Sequence, residues 1–114
     1  MIEEPAALSL NETFFISKVE LPYFEFNTFK SVQPGCPIVE YKVLGLDLLP
    51  PQGWKVQVTS VIRIILPKKY KLIEGSYLFY LEVICEGGYR RLARVGLSHL
   101  FTLNVVDPQL FLFR

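Results

Sequence analysis

Side chains that could perform catalysis are few in this chain and lie far apart in the sequence. A nucleophilic mechanism needs a nucleophile, a base and an orienting group, and His99 is the single histidine of the chain. On a predicted strand, His99 shares one face with the apolar Leu97, Phe101 and Leu103, which favours a packed histidine over a catalytic one. Beyond the Glu3-Glu4 pair, the carboxylates occur singly, as solvent-facing strand residues do. We therefore predict no enzyme activity, no catalytic residue and no cofactor.

Cys36 and Cys85 are the two cysteines, and their spacing fits no C-x-x-C motif. Together with His99 they supply too few ligands for a zinc site, so we predict no metal site. Two reduced and packed thiols are the favoured state. A disulfide between the two cysteines is the alternative, because geometry rather than sequence decides whether the bond can form.

The composition predicts one folded domain with apolar surface to spare. The chain has 114 residues, of which 51% are hydrophobic and 14% aromatic, and we read residues 1–114 as a single β domain. A domain of this size needs fewer apolar side chains for its own core, which points to a partner such as a non-native polypeptide or another protein. The formal net charge of +1 provides no field that would attract nucleic acid.

Membrane insertion and secretion are not predicted. The apolar stretch Leu44–Pro51 contains Gly45 and Asp47 and falls far short of the roughly 20 residues that span a bilayer. The N-terminus Met1–Pro5 is acidic, and no apolar segment with a cleavage site follows it. We expect a cytoplasmic protein without a membrane partner.

Alternation of apolar and polar residues runs from Trp54 to Leu66 and is typical of a long β-strand. The segment Ile38–Leu46 alternates in the same way, and we expect the two segments to pair as an antiparallel hairpin. Tyr77–Glu86 carries apolar side chains on both faces, which is typical of a central strand. Gly87-Gly88 then predicts a two-residue type I′ turn.

The rest of the chain is predicted to be extended as well. Tyr89–Leu100 fits a strand better than a helix, because Gly96 weakens a helix by about 1 kcal/mol relative to alanine. Leu97–Val105 predicts a last strand, and Gln109–Arg114 is an apolar tail that we expect to dock on another surface. The sequence thus predicts a mainly β fold, a single antiparallel sheet of long strands with little or no helix, in a chain that forms homo-oligomers.

The order of these segments resembles the SecB family of export chaperones. The resemblance covers residues 14–95 and includes the extended piece Phe15-Ile16-Ser17-Lys18-Val19-Glu20-Leu21 and the hairpin of two long strands. Its most specific element is Glu82-Val83 followed by Gly87-Gly88-Tyr89. In that family, a strand that carries Glu-Val runs into a glycine-bearing turn and then an aromatic or apolar residue. The two helices that follow the sheet in that family are not apparent in this sequence.

The resemblance implies a holdase chaperone that works without ATP. It implies a four-stranded antiparallel sheet that pairs into dimers and tetramers and exposes apolar, aromatic-lined grooves to non-native polypeptides. The client-binding residues would then be Phe24 and Phe26 of the N-terminal extended piece and Leu78 and Tyr80 on the outer face of the central strand, whereas Phe79 faces the core.

Other functions stay open beside the holdase. A closed barrel or a sandwich would bury the same aromatic residues without any client. The chain could then be a β-rich structural or assembly subunit, of viral or phage type for example, or a β-barrel that binds a small ligand. The holdase and the assembly subunit both require self-association, whereas the barrel does not.

Overall fold

Ten β-strands are present in the computed structural model, which describes residues 2–31 and 36–108. In chain order they are β1 (Ile2–Glu3), β2 (Asn11–Phe15), β3 (Tyr23–Asn27), β4 (Lys30–Ser31), β5 (Ile38–Leu44), β6 (Lys55–Val58), β7 (Val61–Ile65), β8 (Gly75–Cys85), β9 (Arg90–Leu92) and β10 (Phe101–Val106). A 3-10 turn at Lys68–Tyr70 lies between β7 and β8. The prediction of a mainly β fold is confirmed.

The strands form three sheets, so the prediction of a single sheet is wrong. The larger sheet has the order β2-β10-β8-β5, with β9 also paired to β8, and the smaller sheet has the order β3-β7-β6. A two-stranded ribbon of β1 and β4 completes the set. Strand pairs are antiparallel apart from β2 and β10, which run parallel. Two sheets in one chain cover each other's apolar faces, which a single sheet could do only with a partner.

The predicted strand Trp54–Leu66 is a hairpin of two strands, β6 and β7. The chain reverses at Thr59-Ser60, and Val58 lies opposite Ile62. Because this register pairs even-numbered residues with even-numbered residues, the apolar face continues through the turn without a change of parity, and alternation alone cannot reveal the reversal. The predicted hairpin with Ile38–Leu46 is also wrong, because β5 pairs with β8 instead.

Aromatic rings fill the core between the larger and the smaller sheet. The ring of Phe24 in β3 contacts Phe79 of β8 and Phe101 of β10, with 5.3 and 5.8 Å between ring centroids. The ring of Phe26 contacts Phe101 at 5.1 Å. These rings meet edge to face, and such pairs contribute about 0.5–1.5 kcal/mol beyond the burial of their area. The two sheets are therefore held together by the aromatic residues of their inner faces.

β8 is the central strand of the larger sheet, as predicted, and pairs with β10, β5 and β9. Its inner face is fully buried at Phe79 and Val83. The predicted turn after β8 is present, with Gly87 and Gly88 at φ values of 89° and 87°. The loop has three residues rather than two, because the Cys85 N–H donates to the Tyr89 carbonyl at 2.9 Å.

The segment Tyr89–Leu100 is neither one strand nor a helix. Only Arg90–Leu92 pairs in the sheet, and the following residues form an irregular loop with a single bridge between Val95 and Ser98. The predicted last strand is present in its second half, as Phe101–Val106. The predicted docking tail, residues 109–114, lies outside the described residues.

Cys36 and Cys85 form a disulfide, so the favoured prediction of two reduced thiols is wrong. Their Cα atoms are 5.2 Å apart, within the range that a disulfide requires. The pairing of β5 with β8 places Ile38 opposite Cys85, and Cys36 lies two residues before that position. Sheet pairing therefore brings together two cysteines that are remote in the sequence.

Candidate functional site

Three loops that join the two sheets lie together at one end of the sandwich. In the larger sheet, Val105 near the end of β10 lies opposite Gly75 at the start of β8, and β2 ends beside the end of β10. In the smaller sheet, Tyr23 at the start of β3 and Lys55 at the start of β6 both lie opposite Ile65 at the end of β7. We call the three connecting segments, 16–22, 45–54 and 66–74, the loop end.

The loop after β5 presents three leucines to solvent from a hydrogen-bonded frame. Leu46, Leu48 and Leu49 are 63%, 55% and 62% exposed. The Gly45 N–H donates to the Leu49 carbonyl and the Leu48 N–H donates to the Gly45 carbonyl, both at 2.9 Å. The Asp47 carboxylate accepts the Leu49 N–H at 3.0 Å. We call Gly45–Leu49 the leucine loop; its backbone is fixed while its apolar side chains face water.

Leu48 is held in a backbone conformation that disfavours its side chain. Its φ is 63°, in the left-handed region, which costs an L residue about 1–2 kcal/mol. Its side chain is also more than half exposed, so the residue gains little from burial in exchange. A partner that covered Leu48 would supply the burial that the free chain lacks.

Further exposed apolar residues lie on the two other segments of the loop end. Val19 is 88% exposed, and Leu72 and Ile73 are 67% and 53% exposed. Groups of exposed apolar residues mark interaction sites, whereas single exposed residues are ordinary. Each of the three segments of the loop end therefore exposes at least one large apolar side chain.

Two shallow hollows adjoin each other on the outer face of the smaller sheet, next to the loop end. They share Leu21 and Ile65. The first, of about 200 Å³, is also lined by Glu20, Tyr23 and Arg63. The second, of about 210 Å³, is also lined by Gly53, Lys55, Leu66, Pro67 and Lys68. We call them the tyrosine hollow and the lysine hollow.

The charge of the tyrosine hollow is compensated by its own neighbours. Arg63 Nε donates to Glu25 Oε1 at 2.9 Å, and this hydrogen bond raises the pKa of Arg63. The guanidinium carbon also lies 4.4 Å from the centroid of the Tyr23 ring. The lysine hollow differs, because Lys55 and Lys68 form no ion pair with any of residues 2–31 and 36–108.

The predicted client-binding residues are divided between the core and the surface. Placement of Phe24 and Phe26 at the surface is wrong, since they are 0% and 2% exposed. Leu78 is 39% exposed on the outer face of β8, and Tyr80 on the same face is half-buried. In an alternating strand, the charged Glu25 takes the solvent face, which indicates that Phe24 and Phe26 on the opposite face point into the core. The structure does not bring the four residues together.

The leucine loop is the part of the site that the sequence interpretation missed. It overlaps the end of the predicted strand Ile38–Leu46 and lies in the stretch Leu44–Pro51, whose length alone is used above to exclude a membrane span. A turn bounded by glycine and proline normally holds polar residues, so three leucines there were the available signal.

His99 and the half-buried carboxylate Glu12 have structural partners. His99 Nδ1 lies 3.3 Å from the Ala93 carbonyl oxygen. Glu12 Oε1 accepts the Glu25 N–H at 3.2 Å and so links β2 to β3 at one edge of the sandwich. Burial raises the pKa of Glu12, and the charge of Glu25 adds to this effect, although the hydrogen bond acts in the opposite direction. Within the described ranges, no three His, Cys, Asp or Glu residues are placed to hold a metal ion.

No helix among the described residues has the length and apolar character needed to cross a membrane. No protein-family model and no curated protein matches the chain.

Proposed function

We propose that this chain is a polypeptide-binding β-sandwich and that the loop end is its binding surface. The observation that carries the proposal is the leucine loop, whose hydrogen-bonded backbone holds three leucines in water. Exposed apolar area is unfavourable in the free protein and becomes favourable when a partner covers it. Because the loop is already ordered, binding requires little further loss of conformational entropy.

The SecB-like holdase remains our proposal for the form that this binding takes. Its support is that exposed apolar residues are not confined to the leucine loop, as Val39 and Val58 are 60% and 53% exposed elsewhere. Dispersed apolar surface suits many extended segments without readout of their sequence. The aromatic-lined grooves of that family have less support, because Phe24, Phe26 and Phe79 are core residues.

An assembly subunit is the second candidate, and the fixed geometry of the leucine loop favours it. Promiscuous surfaces are usually flexible, whereas a preorganised loop suits one defined partner. Under either candidate, we propose that copies of the chain associate with each other. A small-ligand barrel has less support, because phenylalanine rings fill the space between the sheets.

A cytoplasmic location also remains a prediction. The disulfide between Cys36 and Cys85 is more typical of an oxidising compartment. Counting free thiols in protein purified from its native cells under acid quenching decides between the two locations.

Aggregation of an unrelated denatured protein tests the proposal. Wild type at a stoichiometric ratio should suppress aggregation, and the triple variant Leu46→Ser/Leu48→Ser/Leu49→Ser should suppress it much less. The matched control is Leu97→Ser, which removes a leucine that is 94% exposed in the loop before β10, outside the three segments of the loop end. Equal suppression by the triple variant and the control would exclude the leucine loop as the binding surface.

The assembly candidate has a different outcome in the same set of proteins. An assembly subunit should ignore the denatured protein and form rings or filaments, which sedimentation velocity detects. The triple variant should then sediment as a smaller species than wild type and Leu97→Ser. A wild-type monomer that suppresses no aggregation would contradict both forms of the proposal.

A further inference from the structure

We infer that the polypeptide bound at the loop end carries an acidic residue beside an apolar one and that the lysine hollow takes this pair. The inference rests on the proposed function, because it names the chemistry of the partner at the same surface. It is carried by the shape of the hollow, the charge of its rim and its position in the loop end, since Leu21, Gly53 and Pro67 of its lining come from the three segments of that end.

The lysine hollow has an apolar floor of the size of a side chain. The apolar lining that a bound side chain can contact is Leu21, Ile65 and Pro67, which are half-buried, whereas Leu66 is 0% exposed. Its volume of about 210 Å³ is below the range of about 300–1,000 Å³ that is typical of small-molecule pockets. One apolar side chain of an extended peptide suits a hollow of this size better than a complete small ligand.

The rim of the lysine hollow is positive. Lys55 and Lys68 are its charged lining residues, and neither forms an ion pair within the described part of the chain. Lysines with no carboxylate partner attract a carboxylate on the bound chain.

Acidic residues of the loop end do not neutralise this rim. The Asp47 carboxylate accepts the Leu49 N–H at 3.0 Å, and the Glu74 carboxylate accepts the Asp107 N–H at 2.8 Å. Glu20 lines the tyrosine hollow, on the side of Arg63. These carboxylates are engaged by backbone N–H groups or lie in the neighbouring hollow, so the rim lysines are the groups that a partner meets.

A polypeptide fits this surface better than an anionic membrane. A lipid surface would meet the protruding leucines and lysines, but it would leave the recessed floor at Ile65 and Pro67 empty. The backbone of a peptide can follow a shallow groove and place one side chain on that floor. Gly53 in the wall lets the backbone approach closely, and its φ of 83° requires glycine there.

Three tryptophan-free peptides test the inference, with Trp54 as the reporter because it is the single tryptophan and follows Gly53. The peptides are repeats of Gly-Leu-Glu, Gly-Leu-Gln and Gly-Leu-Lys, which differ only in charge. Titration of the full chain should show the Glu peptide binding about tenfold more tightly than the Lys peptide. The double variant Lys55→Gln/Lys68→Gln should reduce this preference to about threefold or less, with an unchanged thermal melting curve.

Two lysines outside the hollow provide the matched control. The variant Lys30→Gln/Lys42→Gln has the same net charge as the double variant, and it should keep the preference of wild type. Equal affinity for the three peptides would overturn the inference and leave apolar binding by the loop end intact. Binding to vesicles of anionic phospholipid without binding to the Glu peptide would overturn it in favour of a lipid surface. Loss of preference in the control variant would show that net charge, and not the hollow, selects the peptide.

Discussion

The conformation of the leucine loop can be tested by comparing glycine and alanine at position 48. In an ordinary element, glycine is less stable than alanine by about 0.5–1 kcal/mol, because the unfolded chain gains freedom. Leu48 has a φ of 63°, where a side chain costs about 1–2 kcal/mol and glycine costs almost nothing. The order should therefore reverse, with Leu48→Gly more stable than Leu48→Ala by about 0.5–1 kcal/mol.

Equilibrium unfolding in urea measures this difference, with the fluorescence of Trp54 as the signal. Both variants remove the leucine side chain beyond Cβ, so lost contacts cancel except for one methyl group. Leu46 provides the control, since it lies in the same loop but does not have a positive φ. At position 46, alanine should be at least as stable as glycine. Greater stability of Leu48→Ala than of Leu48→Gly would refute the assigned loop conformation.

The same pair of variants separates stability from binding. Both should bind a polypeptide partner less well than wild type, because both remove an exposed leucine from the proposed surface. Leu48→Gly should lose binding without losing much stability, since relief of the backbone strain offsets the lost contacts. Such a result would show that the leucine side chain serves the partner rather than the fold.

Three further predictions concern the core, the disulfide and one carboxylate. In urea unfolding, Phe79→Ala should lower the free energy of unfolding by about 3–5 kcal/mol, whereas Leu78→Ser should change it by less than about 1 kcal/mol; equal losses would mean that the faces of β8 are assigned wrongly. Reduction of the Cys36–Cys85 disulfide should destabilise the fold by about 2–4 kcal/mol, and two free thiols by alkylation and mass spectrometry in air-oxidised protein would contradict the bond. Because burial raises the pKa of Glu12 above 4.5, the native state holds this proton more tightly than the unfolded chain does. The protonated Glu12 carboxyl therefore stabilises the native state below pH 4.5, and this contribution is lost as pH rises through the native pKa of Glu12. Over that rise in pH, the free energy of unfolding of wild type should fall relative to that of Glu12→Gln. Parallel pH profiles of the two proteins would contradict the raised pKa.

The mainly β class of the fold and the inner face of β8 could be predicted from the sequence, because the alternation of apolar and polar residues determines which side chains share a face of a strand. Phe79 and Val83 are buried as their parity predicts. Alternation does not report where a strand reverses if the turn preserves parity, which is why the hairpin at Thr59-Ser60 was read as one strand. The division into separate sheets follows from that reversal and from long-range pairing, which local periodicity does not encode.

The candidate site was less predictable than the fold. The exposed residues of the loop end come from three segments of the chain, and only the registers of the strands bring them together. Composition does not show which aromatic residues a second sheet will cover, and that sheet encloses Phe24 and Phe26. The disulfide likewise depends on the pairing of β5 with β8, which places Cys36 near Cys85.

Photo-crosslinking from position 48 tests most directly whether the loop end binds a polypeptide. A photoreactive phenylalanine analogue would replace Leu48 in one protein and Leu97 in another, since both positions are exposed but only position 48 belongs to the loop end. Each purified protein would be irradiated with a reduced, carboxymethylated polypeptide that cannot fold, and adducts would be mapped by mass spectrometry. We predict adducts to that polypeptide or to a second copy from position 48 and few from position 97. Equal yields from the two positions, or no adduct from position 48, would contradict the proposed binding surface.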